Sequence, residues 1–234
     1  MSMYHIYSTF DNMLSDRYLT TLKTWQLNTL IKVPIHEDQC ETVSDGYKKL
    51  PYIKNVIDRG IDYINNDDNY VILFTNSDSC LLPKITECLQ HVTDDNTQSY
   101  SRLDLPFKFI EPLSEEQLQD ERFIIYAGKD GFAFTKNFWL KNRDVFVNML
   151  FGAEFWDYIF YLQLKQLSNL TSHFRYIYHE FHYQKWCDST YRTSMPSQIH
   201  NIKLAKEFLY KNIHLIDQPH LFELWEQDLF SKVN

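Results

Sequence analysis

Three short stretches of the chain bring together side chains that could do polar chemistry. In the run YVILFTNSDS, residues 70–79, Asn76 and Asp78 follow directly on five apolar residues. A short continuous apolar run reads as a buried central strand. The two polar side chains would then lie at its C-terminal end, where open α/β sheets take their ligands. Asp78 could ligate a hard divalent cation, which prefers oxygen donors and can bridge a diphosphate. Asn76 could bond a ribose or sugar hydroxyl. The structural alternative is a capped turn, because Asn, Ser and Asp routinely cap helix starts.

The second stretch is IIYAGKDGFAF, residues 124–134, followed by FGAEFWDYIF, residues 151–160. Gly128 and Gly131 bracket Asp130, so the backbone is expected to turn there and approach a ligand closely. Glu154 and Asp157 lie three apart and would share a helix face. A carboxylate there could act as general base toward a hydroxyl, provided its pKa suits the task. The alternative is a β-turn and two solvated acids. The third stretch is YHEFHYQKW, residues 178–186, with His179 and His182 three apart and Lys185 close by. One imidazole could complete a metal site and Lys185 could neutralise leaving-group charge. The spacing is one residue short of HExxH, which removes a zinc-protease reading. His200-Asn201 is a further polar pair, expected near a helix start.

These segments need elements to hold them. MYHIYSTF, residues 3–10, reads as a first strand and loop. A helix is expected from Asp16, with Tyr18, Leu19, Leu22, Trp25 and Leu27 near helical period. A second strand follows at 31–35, then a helix carrying Ile53, Val56, Ile57, Ile61 and Ile64. The pattern predicts another helix over 81–89, loop over 92–101, strands at 107–110 and 123–126, a long aromatic helix over 151–167, and a helix over 202–209. Strand alternating with helix in the first 90 residues favours an α/β fold with a largely parallel sheet.

Composition narrows the class. A chain of 234 residues can bury a sizeable core, and 44% apolar with 23% charged residues is ordinary for a globular protein. A formal charge of −8 argues against a protein that simply coats nucleic acid. Residues 161–215, however, hold seven Lys or Arg against three acids, a basic region that could meet a diphosphate or a polyanion. Four cysteines without CxxC spacing read as free thiols in a reducing compartment. No basic and apolar leader opens the chain and no apolar run is long enough to span a bilayer, so a cytoplasmic location is expected. GxxxxGK[ST], GxGxxG and GxSxG are all missing, which leaves P-loop, dinucleotide and ordinary α/β-hydrolase chemistry without support.

In order, the segments resemble a family of small GT-A-type nucleotide-sugar glycosyltransferases of bacteria and viruses. The resemblance is carried by Leu22-Lys23-Thr24-Trp25, Asn76-Ser77-Asp78 and Gly128-Lys129-Asp130-Gly131-Phe132-Ala133-Phe134. It continues through Gly152 to Trp156-Asp157, then His179 with His182, then His200-Asn201. It implies one GT-A-like (Rossmann-like) domain over 1–234, a mixed and mostly parallel sheet flanked by helices. Residues 1–100 would be the nucleotide-binding half and 101–234 the acceptor-binding half.

The roles it implies are specific. Asp78 would hold Mn²⁺ or Mg²⁺ with His182 or His179. Asn76 stands where many GT-A enzymes carry Asp, so one carboxylate rather than two would hold the ion. Ser8, Thr9 and Phe10 would receive the nucleotide, and Asn76, Asp130 and Lys185 would also contact the nucleotide-sugar. Asp157 would be the base, with Glu154 in reserve, and Trp156 would meet the acceptor. The expected partners are a nucleotide-diphosphate sugar and a glycan acceptor. A composition rich in Asn, Lys, Tyr and Ile and poor in Gly and Ala suggests an AT-rich or viral genome, which adds a modified base in phage DNA as a possible acceptor. A non-catalytic nucleotide-sugar or glycan-binding module and a nucleotidyltransferase remain the alternatives.

Overall fold

Alternation of side chains across the strands explains how two layers of helix come to cover one sheet. In β5 (Val71–Thr75), Ile72 and Phe74 belong to the core on one face, and Val71 and Leu73 to the core on the other. All five residues of β5 are buried, as its unbroken apolar run requires. The computed structural model describes residues 1–9, 16–44, 49–66, 68–119, 124–180 and 189–233. β5 is third in a seven-stranded sheet with β1 (Met3–Thr9), β2 (Ile31–His36), β6 (Cys80–Leu81), β7 (Asn96–Leu105), β8 (Ile124–Thr135) and β9 (Asn169–Glu180). A small hairpin, β3 (Thr42–Ser44) with β4 (Lys49–Pro51), stands apart from it.

The sheet order is β2-β1-β5-β8-β7-β9-β6. β1 pairs parallel with β2 and β5, and β7 pairs parallel with β9. β8 runs antiparallel to both β5 and β7, and β6 antiparallel to β9. Five of the seven strands therefore point one way. The fold is mixed α/β with a mostly parallel sheet. β7 runs through residue 100, so the sheet takes strands from both halves of the chain.

Helices fill both faces. α2 (Ile53–Ile64) buries Ile53, Val56, Ile57 and Gly60, the three- and four-residue spacing of one helical face. Gly60 sits on Ile6 of β1, where a Cβ would stand 2.4 Å from the Ile6 Cδ1. α5 (Trp156–Leu167) and α7 (Pro196–Lys211) share this face, where Phe74, Phe132, Phe134 and Phe160 form the aromatic centre. Trp25 of α1 (Asp16–Gln26) packs on the opposite face with Ile85 and Leu89 of α3 (Ile85–Leu89). The remaining helices are α4 (Lys136–Asn142), α6 (Ser189–Ser194) and α8 (Pro219–Trp225). Among the described residues no helix is long and apolar enough to cross a membrane. Cys40, Cys80 and Cys88 are free thiols, and Cys187 lies outside the described residues.

Several local expectations are corrected. The polar stretch 92–101, expected as loop, contains most of β7, a strand near the middle of the sheet. Its side chains are buried because they find partners. The Thr97 hydroxyl meets Ser168 at 2.6 Å, Gln98 donates to the Cys88 carbonyl at 2.9 Å, and Ser99 meets Ser172 at 2.9 Å. The expected turn at Gly128–Gly131 is instead continuous strand, with β8 running through it from Ile124 to Thr135. Residues 107–110 form no strand, and the helix expected over 81–89 shortens to α3 because Cys80 and Leu81 pair with β9. The aromatic helix begins at Trp156 rather than at residue 151, behind Gly152 and Phe155 with φ of 79° and 64°.

Candidate active site

The strand directions bring one edge of the sheet into focus. β1, β5, β7 and β9 all end there, and the antiparallel β8 passes Asp130 at the same level, since Thr75 pairs with Gly131. Ser8 and Thr9 close β1, Asn76 and Asp78 follow β5, Asp104 lies near the end of β7, and His179 near the end of β9. Most residues proposed from sequence therefore gather at the C-terminal edge, where such sheets bind ligands. Phe10, His182 and Lys185 lie outside the described residues.

The segment carrying Asp78 is pinned from below. The indole of Trp25 donates to the Ser79 carbonyl at 2.8 Å, and the Thr24 hydroxyl accepts from the Leu81 amide at 3.1 Å. The Thr75 hydroxyl donates to the Asn76 carbonyl at 3.0 Å and meets Nε2 of the buried His5 at 2.7 Å. Burial, helped by the Lys32 charge, pushes His5 down to about 3, so it is neutral at physiological pH.

Above that segment runs a chain of paired charges. His179 Nε2 lies 3.1 Å from Asp78 Oδ2, and its Nδ1 lies 3.2 Å from Asp104 Oδ1. Arg102 continues the chain, with Nε 2.8 Å from Asp104 Oδ1 and Nη1 donating to Asp130 Oδ2. Arg102, Asp104, Asp130 and His179 are each at most 5% exposed, whereas the Asp78 side chain keeps 25%. Burial disfavours a charge on His179. The Asp78 charge and the hydrogen bonds to Asp104 and Asp78 outweigh it, and the imidazole holds its proton above the ordinary histidine value. Burial raises Asp130, opposed by the Arg102 and His179 charges.

Asp157 stands at the far end, in the first turn of α5, with part of its surface open to solvent. Its Oδ1 accepts from the Tyr158 amide at 2.9 Å and its Oδ2 from the Lys129 amide at 3.2 Å. Burial and the neighbouring Asp130 charge outweigh these bonds and push the carboxyl up to about 6. Glu154, just before the helix, is held by a two-pronged bond from Arg192, Nε to Oε2 at 3.1 Å and Nη2 to Oε1 at 2.8 Å. Asn201 does not cap a helix start. It sits within α7 and clamps the turn before α5 through Leu150 and the Glu154 carbonyl. Trp156 is 5% exposed, its ring set edge-on to Phe74, Phe132 and Phe151 in the main core.

Reading the sequence missed Arg102 and Asp104, the central links of the charged chain. Their signal was the alternation Arg102-Leu103-Asp104-Leu105, which sets two charges on one side of a strand and two leucines on the other. Among the described residues, no group of three or more His, Cys, Asp or Glu side chains is arranged to hold a metal ion. No protein-family model matches the chain, and no curated protein matches it. Fold and site together define a mixed α/β protein with a buried, arginine-centred carboxylate cluster on the C-terminal edge of its sheet.

Proposed function

We propose that the chain is a glycosyltransferase that moves a sugar from a nucleotide-diphosphate sugar to a hydroxyl acceptor. The observation that carries this reading is the placement of Asp157, in the first turn of α5 with its carboxylate on the Lys129 and Tyr158 amides and beside Asp130 at the C-terminal edge of the sheet, a carboxyl pushed up to about 6. A base poised near neutrality is well matched to taking a proton from a hydroxyl in the transition state. In the proposed step Asp157 accepts the acceptor's hydroxyl proton while that oxygen bonds the anomeric carbon. The bond from this carbon to the diphosphate oxygen breaks, and the nucleoside diphosphate leaves with the electron pair. Ser8, Thr9, Asn76 and the segment pinned by Trp25 form the donor side, and Asp130 separates it from Asp157.

Mn²⁺ or Mg²⁺ is the ion the resemblance implies, and the described residues do not by themselves form a site for it. His179 has both ring nitrogens facing carboxylates, and Arg102 engages Asp104 and Asp130.

The test is thermal stability against UDP-, GDP- and dTDP-sugars, with and without Mn²⁺, in wild type and Asp78→Ala. A ligand that binds the folded chain alone raises the melting temperature. A rise with one donor, lost in Asp78→Ala, is the expected result. No rise with any donor removes the reading. Donor binding without turnover on glycan or DNA acceptors would mark a binding module instead.

A further inference from the structure

Two neighbours of β7 bulge at the same level of the sheet, and Ser101 lies between them. On the β8 side Tyr100 pairs with Gly131 and Ser101 with Lys129, leaving Asp130 as an extra residue. On the β9 side Tyr100 pairs with His173 and Arg102 with Ile177, so Phe174, Arg175 and Tyr176 oppose Ser101 alone. Arg175 takes φ of 65°, a left-handed conformation disfavoured for any residue with a Cβ. Bulges of this kind re-aim side chains and recur beside active sites.

Here they turn Lys129 and Phe174 toward each other. Lys129 Nζ lies 5.1 Å from the Phe174 ring centre and 5.2 Å from that of Tyr161, and donates to Ser101 Oγ at 2.8 Å. Phe174 is 56% exposed, so this large ring faces solvent beside a cation. Asp157, Tyr161 and Lys165 follow at four-residue intervals on α5 and share one face of it. The Tyr161 hydroxyl donates to Asp217 at 3.0 Å, and Lys165 pairs with the same carboxylate. A surface of aromatic rings bordered by hydrogen-bonding groups thus leads directly to the Asp157 carboxyl, itself bonded to the Lys129 amide.

We propose that Phe174, Tyr161 and Lys129 form the acceptor subsite of this protein and that it takes a neutral saccharide. The inference rests on the glycosyl-transfer reading. The apolar face of a pyranose would cover the Phe174 ring, and a hydroxyl on its edge would reach Asp157. Sites for such ligands join an apolar surface to a few placed polar groups. The charges of Lys129 and Lys165 balance those of Asp157 and Asp217, and both lysines are engaged, Lys129 by Ser101 and two rings and Lys165 by Asp217. Arg175 in the β9 bulge adds a cation, so a DNA duplex is the competing acceptor that the test includes.

The test is saturation-transfer NMR of methyl glucopyranoside, galactopyranoside, mannopyranoside and N-acetylglucosaminide, without donor or metal. Wild type, Phe174→Ala and Phe174→Trp are compared, with melting temperatures to confirm that each is folded. At least one glycoside should receive saturation in wild type, lose most of it in Phe174→Ala, and keep it in Phe174→Trp. No transfer to any glycoside, or equal transfer in wild type and Phe174→Ala, overturns the proposal. So does a DNA duplex that shifts the Phe174 ring resonances where the glycosides do not. Because no donor is present, failure here is distinct from failure of the donor-binding test.

Discussion

The Nε2 atom of His179 lies 3.1 Å from Oδ2 of Asp78, joining the end of β9 to the segment after β5 across 101 positions of sequence. The two partners of this imidazole differ in environment. The Asp78 side chain is 25% exposed, and that of Asp104, on the other ring nitrogen, 1%. Water can replace the histidine at the first carboxylate but not at the second. Asp104 keeps its ion pair with Arg102, so His179→Phe removes one buried hydrogen bond from it rather than its countercharge, and is expected to cost about 2–3 kcal/mol. Asp78→Ala should cost about 1 kcal/mol, and His179→Gln should lie between them. Urea unfolding at pH 7 ranks the three. Equal losses in His179→Phe and Asp78→Ala would mean that the buried link to Asp104 adds nothing.

The sequence announced apolar elements well and polar ones poorly. β5 and α2 were legible because an unbroken apolar run and a three-and-four-residue spacing each admit few structures. β7 was not, since Thr97, Gln98, Ser99, Ser101, Arg102 and Asp104 look solvated until their partners are known. Those partners, including Ser168, Ser172 and Asp130, are far along the chain and invisible to any local pattern. The same limit applies to the site. Asp78, Asp130, Asp157 and His179 could be picked out by type and position, and the structure does bring them to one region. Arg102, which ties Asp104 to Asp130, could be found only by pairing β7 with its neighbours. The bulge at Asp130 was equally hidden, because Gly128 and Gly131 suggest a turn until the pairing with β7 is drawn.

Gly60 and Ile6 provide a test of packing between α2 and β1. An alanine within a helix is intrinsically better than glycine by about 1 kcal/mol. Here its Cβ would meet Ile6 at 2.4 Å for Cδ1 and at 3.0 Å for both Cγ1 and Cγ2. Overpacking of this kind costs about 1–3 kcal/mol, so Gly60→Ala should be neutral to destabilising by about 2 kcal/mol. Ile6→Val removes the nearest atom and alone should cost about 1 kcal/mol. Combined, the two should cost less than the sum of the single changes, because the second relieves the first. Strict additivity in denaturant unfolding would place the clash elsewhere.

Asp157 gives opposite predictions for activity and for stability, which makes it the sharpest single test. Its carboxyl titrates near 6 in the folded chain, raised by burial and the Asp130 charge, against about 3.9 when unfolded. The raised folded value means that Asp157 contributes most stability when protonated, below about pH 4. That contribution is lost as pH rises through 6. Asp157→Asn removes the charge that the fold resists. Above pH 7 the gain is at most about 3 kcal/mol, reduced by about 1 kcal/mol because Asn offers one oxygen to the amides of Lys129 and Tyr158. The variant should therefore melt higher than wild type at pH 7.5, and this advantage should vanish below pH 4. As a base, Asp157 works only when deprotonated, so wild-type transfer should fall as pH drops below about 6. Asp157→Asn should lose about 10²–10⁴-fold in kcat above pH 7, and the gap should narrow as wild type protonates its base below about 6. A variant both more stable and inactive at neutral pH is the signature of a carboxylate held for chemistry. A variant less stable at pH 7.5 and still active would assign Asp157 to structure alone.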